Sequence, residues 1–299
     1  MYHLWWLTSV FASIVFAMYI FANQIFKLKG SHIMVYRGVG TTLVLLPFCF
    51  FIPPVGSAVF YFISFFQGFL IAYLDNRLFN AANRFGAETT SVIQPISVFF
   101  GYVMWFIIHP NLFSELLGEP VRFLVITLAI LGVVFSVLNL KKNKFSRYAL
   151  LYLLPAMLSV TVIDILCKIL MTIGKDNLLG AIFYYSLITS FVAGLINLVA
   201  FMKGGNSFRE VVSFKNIRYA GLPIICIIIS MYFLKNYSLF LGTNPAYVMA
   251  IIYAYPVWVL LANNLYARYT NKKIYMLPSK KTIFAMVCSI IVLVLAVQN

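Results

Sequence analysis

Acidic side chains are nearly missing. The chain has 299 residues and only seven Asp and Glu, with three histidines. That leaves no paired carboxylates, no nucleophile and base within a recognisable spacing, and no His/Cys/carboxylate cluster for a metal. A Gly-rich phosphate loop is also lacking, which excludes ATP-driven work by this chain alone. The four cysteines, Cys49, Cys167, Cys226 and Cys288, sit singly inside apolar runs and read as small hydrophobes, with no disulfide. No Lys or Arg precedes the first apolar run, which is longer than a signal-peptide core. It is expected to remain as a first helix, with Trp5 and Trp6 as interfacial anchors.

What the chain has in excess is apolar length. Hydrophobic residues make up 63% and charged residues 10%, against about half and a quarter in soluble domains. The apolar runs recur throughout and approach the roughly 20 residues that a helix needs to cross a bilayer. Most lack the polar face of a soluble amphipathic helix. An all-α integral membrane protein follows, with ten spans at 4–26, 31–51, 58–79, 86–108, 121–140, 148–170, 180–202, 219–240, 245–268 and 281–297.

The basic excess, a net charge of +15, lies mainly in short loops between these runs. That placement argues against nucleic acid and for topology signals and lipid-headgroup contacts. Seventeen Lys and Arg fall in loops of one side and only Arg122 and Lys175 on the other. The positive-inside rule puts the basic loops in the cytoplasm and both termini outside.

The two halves echo each other. Gln94-Pro95 in the fourth run and Tyr255-Pro256 in the ninth are 161 residues apart, each expected as a mid-helix kink. Asn23-Gln24 in the first run align with Cys167-Lys168 in the sixth. Two five-helix units, residues 1–145 and 146–299, would enter the membrane from opposite sides because five is odd. Such inverted repeats are a device of secondary transporters. Chance alignment of two prolines is the bland alternative.

Three stretches give the chain a family likeness. Val35-Tyr36-Arg37-Gly38 opens the second run, Leu78-Phe79-Asn80-Ala81-Ala82 with Gly86-Ala87 and Gln94-Pro95 joins the third and fourth, and Leu234-Lys235-Asn236-Tyr237 with Asn244-Pro245-Ala246 and Tyr255-Pro256 repeats that junction. The pattern resembles the ten-helix EamA-type members of the drug/metabolite transporter superfamily. The resemblance implies a secondary transporter of small metabolites, with neither substrate nor direction fixed. It also implies cytoplasmic termini, opposite to the charge bias.

Ionisable residues at bilayer depth are site candidates because each costs several kcal/mol unless paired or wet. Asp164 and Lys168, four apart in the sixth run, share a helix face and read either as substrate or proton-coupling contacts or as an intrahelical ion pair. Arg37 would hold an anionic substrate group or reach the interface. Asp75 and Glu88 are expected to pair with Arg77 and Arg84 at the cytoplasmic rim, and Lys235 to neutralise a nearby carboxylate. Gln94 and Tyr255 would line a central cavity, with Asn23 and Gln24 as second-rank candidates. Tyr232 and the neighbouring aromatics Tyr184, Tyr185 and Tyr253 read mostly as packing, or as cavity wall for an aromatic or cationic solute.

The expectation is an alternating-access transporter of a small metabolite, amino-acid-like or another organic solute, with no cofactor and with protons as a candidate coupling ion. It would be a multi-pass protein of the bacterial inner membrane, working as monomer or homodimer. A membrane scaffold or sensor, and a lipid-modifying membrane enzyme, are the alternatives.

Overall fold

The computed structural model describes residues 4–26, 29–85, 93–139, 147–205, 207, 209, 211, 213, 216–270 and 280–298. Among the described residues every regular element is helical. Lipid cannot satisfy backbone N–H and C=O groups, so an apolar chain closes them within each helix. The elements are α1 (Trp5–Phe26), α2 (Gly30–Phe50), α3 (Ala58–Phe85), α4 (Ile93–Ile108), α5 (Pro110–Leu117) and α6 (Pro120–Asn139). They continue with α7 (Arg147–Ile173), α8 (Leu178–Lys203), α9 (Ile217–Leu241), α10 (Pro245–Ile252), α11 (Pro256–Thr270) and α12 (Lys280–Gln298).

Seven described helices are long and apolar enough to cross a membrane: α1, α2, α3, α7, α8, α9 and α12. An eighth is reached if α4 and α5 count as one span bent by 102°. Ten uniform spans are therefore not what the described residues present. A helix lies under each expected run: α6 has 20 residues, about 30 Å at 1.5 Å per residue, the fourth run is described from Ile93 onward, and the ninth is broken.

The prolines explain the breaks. Pro110 starts α5, the partly polar stretch before α6, and Pro256 starts α11. The expected kink in the ninth run is instead a full break at Tyr253–Tyr255. Pro256 has no N–H, and the chain turns through Ala254 N–H to Ile251 O (3.1 Å) and Tyr255 N–H to Ile252 O (3.2 Å). Pro95 lies two residues after Ile93, the first described residue of α4, and the residues before it fall outside the described ones. Pro155 lies well inside α7, and Pro47 and Pro223 fall within α2 and α9.

Irregular backbone at bilayer depth survives only inside protein. All eight residues of α10 are buried, and so are Tyr253, Ala254 and Tyr255. By contrast, α3 shows Phe62, Phe65, Phe66, Phe69 and Tyr73 on its outer side, at the three- and four-residue spacing of one helix face. That face is a lipid-facing stripe. Trp5, expected at an interface, is buried in the core.

The helices pack as a bundle in which α7, α8, α9 and α10 form the interior. The extensive pairings are α1 with α9, α3 with α7, α3 with α8, α4 with α7, α1 with α10, α2 with α8, α4 with α10 and α6 with α12. Small residues permit the closest crossing. A Cβ on Gly38 would fall 2.2 Å from Cα of Gly194, so α2 and α8 touch backbone to backbone. Beside that crossing, α2 carries a π-helical turn at Tyr36–Gly40, and α9 opens with another at Ile217–Gly221. The Tyr36 ring covers Gly221, and its hydroxyl donates to Val211 O at 3.0 Å.

Candidate functional site: two buried ion pairs

The interior holds two ion pairs. In the first, Lys235 Nζ of α9 donates to Asp164 Oδ1 of α7 at 2.6 Å. The Tyr253 hydroxyl, from the break between α10 and α11, donates to Asp164 Oδ2 at 3.3 Å. Asp164 is therefore held by two other elements. It lies nine residues before the end of α7 at Ile173, about 14 Å along the helix.

The expected Asp164–Lys168 pair is not formed. Lys168 Nζ donates instead to Phe240 O at 2.9 Å, near the C-terminus of α9. A helix ends with unpaired carbonyls and partial negative charge, which suits an ammonium group. One turn of α7 thus sends two opposite charges to two positions on the same neighbour.

In the second pair, Arg37 Nη1 in the π turn of α2 donates to Asp75 Oδ1 of α3 at 2.6 Å. Asp75 Oδ2 accepts from Asn197 Nδ2 of α8 at 3.3 Å, and Asn197 Oδ1 accepts from Asn76 Nδ2 at 3.0 Å. Asp75 is therefore deep in the bundle, not at the rim. The expected partner Arg77 lies over the rings of Tyr73 and Tyr152, 5.7 and 4.7 Å from their centroids. Arg84 also faces Tyr152 at 5.6 Å, and Glu88 lies outside the described residues.

Neutral polar groups lie close to the pairs. Tyr185 donates to Gln67 Oε1 at 2.8 Å, and the Cys167 thiol donates to the Tyr185 oxygen at 2.9 Å. Tyr232 packs edge-on to Tyr185 with centroids 6.3 Å apart and interacts electrostatically with both Arg37 and Lys235. Arg37 Nε and Gln67 Nε2 are buried without a hydrogen-bond partner. Leaving a buried donor unpaired costs about 1–3 kcal/mol.

Of the sequence candidates, Asp164 falls in the first pair and Arg37 in the second, with Tyr232 between them. Lys168 points to a separate helix end. Tyr255 is buried against Phe16, centroids 4.8 Å apart, as the last residue of the break. Gln94, Asn23 and Gln24 lie in α4 and α1, but their side chains fall outside the described residues. Gln67 and Asn197 were not singled out, and Tyr185 and Tyr253 were read mostly as packing. For Gln67 and Asn197 the signal was an amide in an otherwise apolar run.

The space at Asp164 is small. A void of about 10 Å³ touches Asp164, Thr161, Ser97, Gly101, Ala246 and Met249. That is about the room of one water. A larger void of about 230 Å³ lies nearer the ends of α4, α6, α9 and α12.

Chemically, this arrangement can hold and release a cation or a proton at Asp164, with Lys235 as internal competitor. No protein-family model matches the chain, and no curated protein is similar to it in sequence.

Proposed function

We propose that the chain is a secondary active transporter of a small organic solute, working by alternating access between two inverted five-helix repeats, residues 1–145 and 146–299. The resemblance to EamA-type transporters points the same way. The basic-loop bias favours extracytoplasmic termini in a bacterial inner membrane.

One observation carries the reading: Asp164, a buried carboxylate, is clamped by Lys235 and by Tyr253 at a break in the ninth run. Transporters place ion and substrate sites near broken helices. A carboxylate in lipid is tolerated only if neutralised. A substrate ammonium or a proton that displaces Lys235 would free α9 from α7, and its departure would restore the clamp.

The helix pairing supports the repeat. Exchanging each run with the one five later turns the pairing of α1 with α9 into that of α7 with α3, and α4 with α7 into the ninth run with α1. The pairings α2–α8, α4–α10 and α6–α12 map onto themselves. The symmetry is incomplete on both sides: α3 packs more extensively on α8 than α2 does on α9, and α9 packs more extensively on α7 than α3 does on α1.

The test compares metabolites inside and outside cells expressing the intact chain or Asp164→Asn at equal membrane levels. A solute class redistributed by the intact chain and not by the variant supports the proposal. If neither form shifts any solute, the scaffold or sensor reading gains.

A further inference from the structure

The larger void is a vestibule on the face away from the basic loops, between the α4–α5 bend, the start of α6, the α9–α10 turn and the end of α12. Its volume of about 230 Å³, against about 10 Å³ at Asp164, leaves room for a small organic solute. Trp105, Phe106 and Tyr247 give it aromatic walls, and Glu115 and Glu119 stand on its α5–α6 side.

Two features mark it as more than a packing defect. Trp105 Nε1 and Asn244 Nδ2 belong to residues only 5% and 3% exposed, yet neither has a hydrogen-bond partner. The side-chain oxygen of Asn244 is committed, accepting from Ala246 N at 2.9 Å to cap α10. The Tyr247 hydroxyl stands beside Asn244 without closing a hydrogen bond to Nδ2. Both orphaned groups are donors, so the complement is an acceptor oxygen.

The charges point to the other end of the ligand. Arg122 is occupied by Glu119 Oε2 at 3.0 Å and by the carbonyls of Ala296 (2.9 Å) and Val297 (3.2 Å). Glu115 makes no such pair, and two of the chain's seven carboxylates meet here against one spent guanidinium. A carboxylate beside aromatic faces suits an ammonium group.

We propose that this vestibule binds a small bifunctional solute, with an ammonium at Glu115 and Glu119 and an acceptor oxygen at Trp105 and Asn244. The site rests on the transport reading and gives it a substrate class. It is the loading position for Asp164. The sequence Asn244-Pro245-Ala246 lines both voids, Asn244 the vestibule and Pro245 and Ala246 the Asp164 void.

The test titrates the full chain in lipid nanodiscs with three probes on one carbon skeleton, by calorimetry. Leucine has both groups, isoamylamine lacks the carboxylate, and 4-methylpentanoate lacks the amine. Leucine is expected to bind at least about ten-fold more tightly than either. Glu115→Gln, at an exposed position, and Trp105→Phe each weaken leucine about ten-fold or more, whereas Phe62→Leu, on the outer face of α3, leaves it within about two-fold. No leucine binding, equal binding of the three probes, or binding indifferent to Glu115→Gln and Trp105→Phe overturns the site. Failure here with Asp164-dependent solute redistribution intact removes the vestibule and leaves transport. Vestibule binding without that redistribution removes transport instead.

Discussion

The two buried ion pairs have the same 2.6 Å contact and opposite settings. Arg37–Asp75 is embedded in a polar mesh: Asn197 and Asn76 tie its carboxylate to α8, next to the Gly38–Gly194 crossing where backbones touch. Asp164–Lys235 instead borders a void and a break in the helix ladder. Equal contacts therefore need not do equal work. On the transport proposal, the first pair holds three helices together and the second comes apart.

The largest expected effect separates them directly. Asp164→Asn leaves the Lys235 ammonium buried without its carboxylate, a loss of about 3–5 kcal/mol when one partner of a buried pair is removed. Solute redistribution is expected to vanish. Replacing both partners, Asp164→Leu with Lys235→Met, should recover most of the thermal stability, because an apolar pair is often neutral there. It should not recover transport. Recovery of transport by the double variant would make the pair merely structural.

Next comes Gly38→Leu, whose side chain has no room against Gly194. It forces α2 from α8 and should lower the thermal midpoint of the detergent-solubilised protein more than any polar substitution in the Arg37–Asp75 mesh. A smaller effect is expected from Asn197→Ala, which removes hydrogen bonds to Asp75 and from Asn76 and should cost about 1–3 kcal/mol. Transport should slow and not stop. If Asn197→Ala abolished transport at unchanged stability, the mesh would be part of the operating site and the contrast between the pairs would fail.

The smallest effect belongs to Lys168→Met. Its one described contact is a single hydrogen bond to the Phe240 carbonyl, worth about 1 kcal/mol. Redistribution should persist. Loss equal to that of Asp164→Asn would return Lys168 to the site from which its geometry separates it.

The sequence made part of this legible. Asp164, Lys235 and Arg37 stood out because a charge in an apolar run is expensive wherever it sits. The helices were legible for the same reason that lipid leaves them no alternative. Partner choice was not. Lys168 is four residues from Asp164, yet the carboxylate takes Lys235, 71 positions away, because the packing of α7 on α9 outweighs proximity on one helix. Asp75 was read toward the nearest arginines for the same mistaken reason of adjacency. Pro256 announced a disturbance, but whether it kinks or breaks a helix depends on surrounding protein to bury the freed backbone. Tyr253 enters the site only because the break turns its hydroxyl toward Asp164.

The central claim is that Asp164–Lys235 is the pair that works and Arg37–Asp75 the pair that holds. Its most direct test measures solute redistribution by the intact chain, Asp164→Asn and Asp75→Asn in one experiment, at equal membrane levels. The account predicts no redistribution with Asp164→Asn and a reduced but measurable rate with Asp75→Asn. Full redistribution with Asp164→Asn, or its abolition by Asp75→Asn alone, would contradict it.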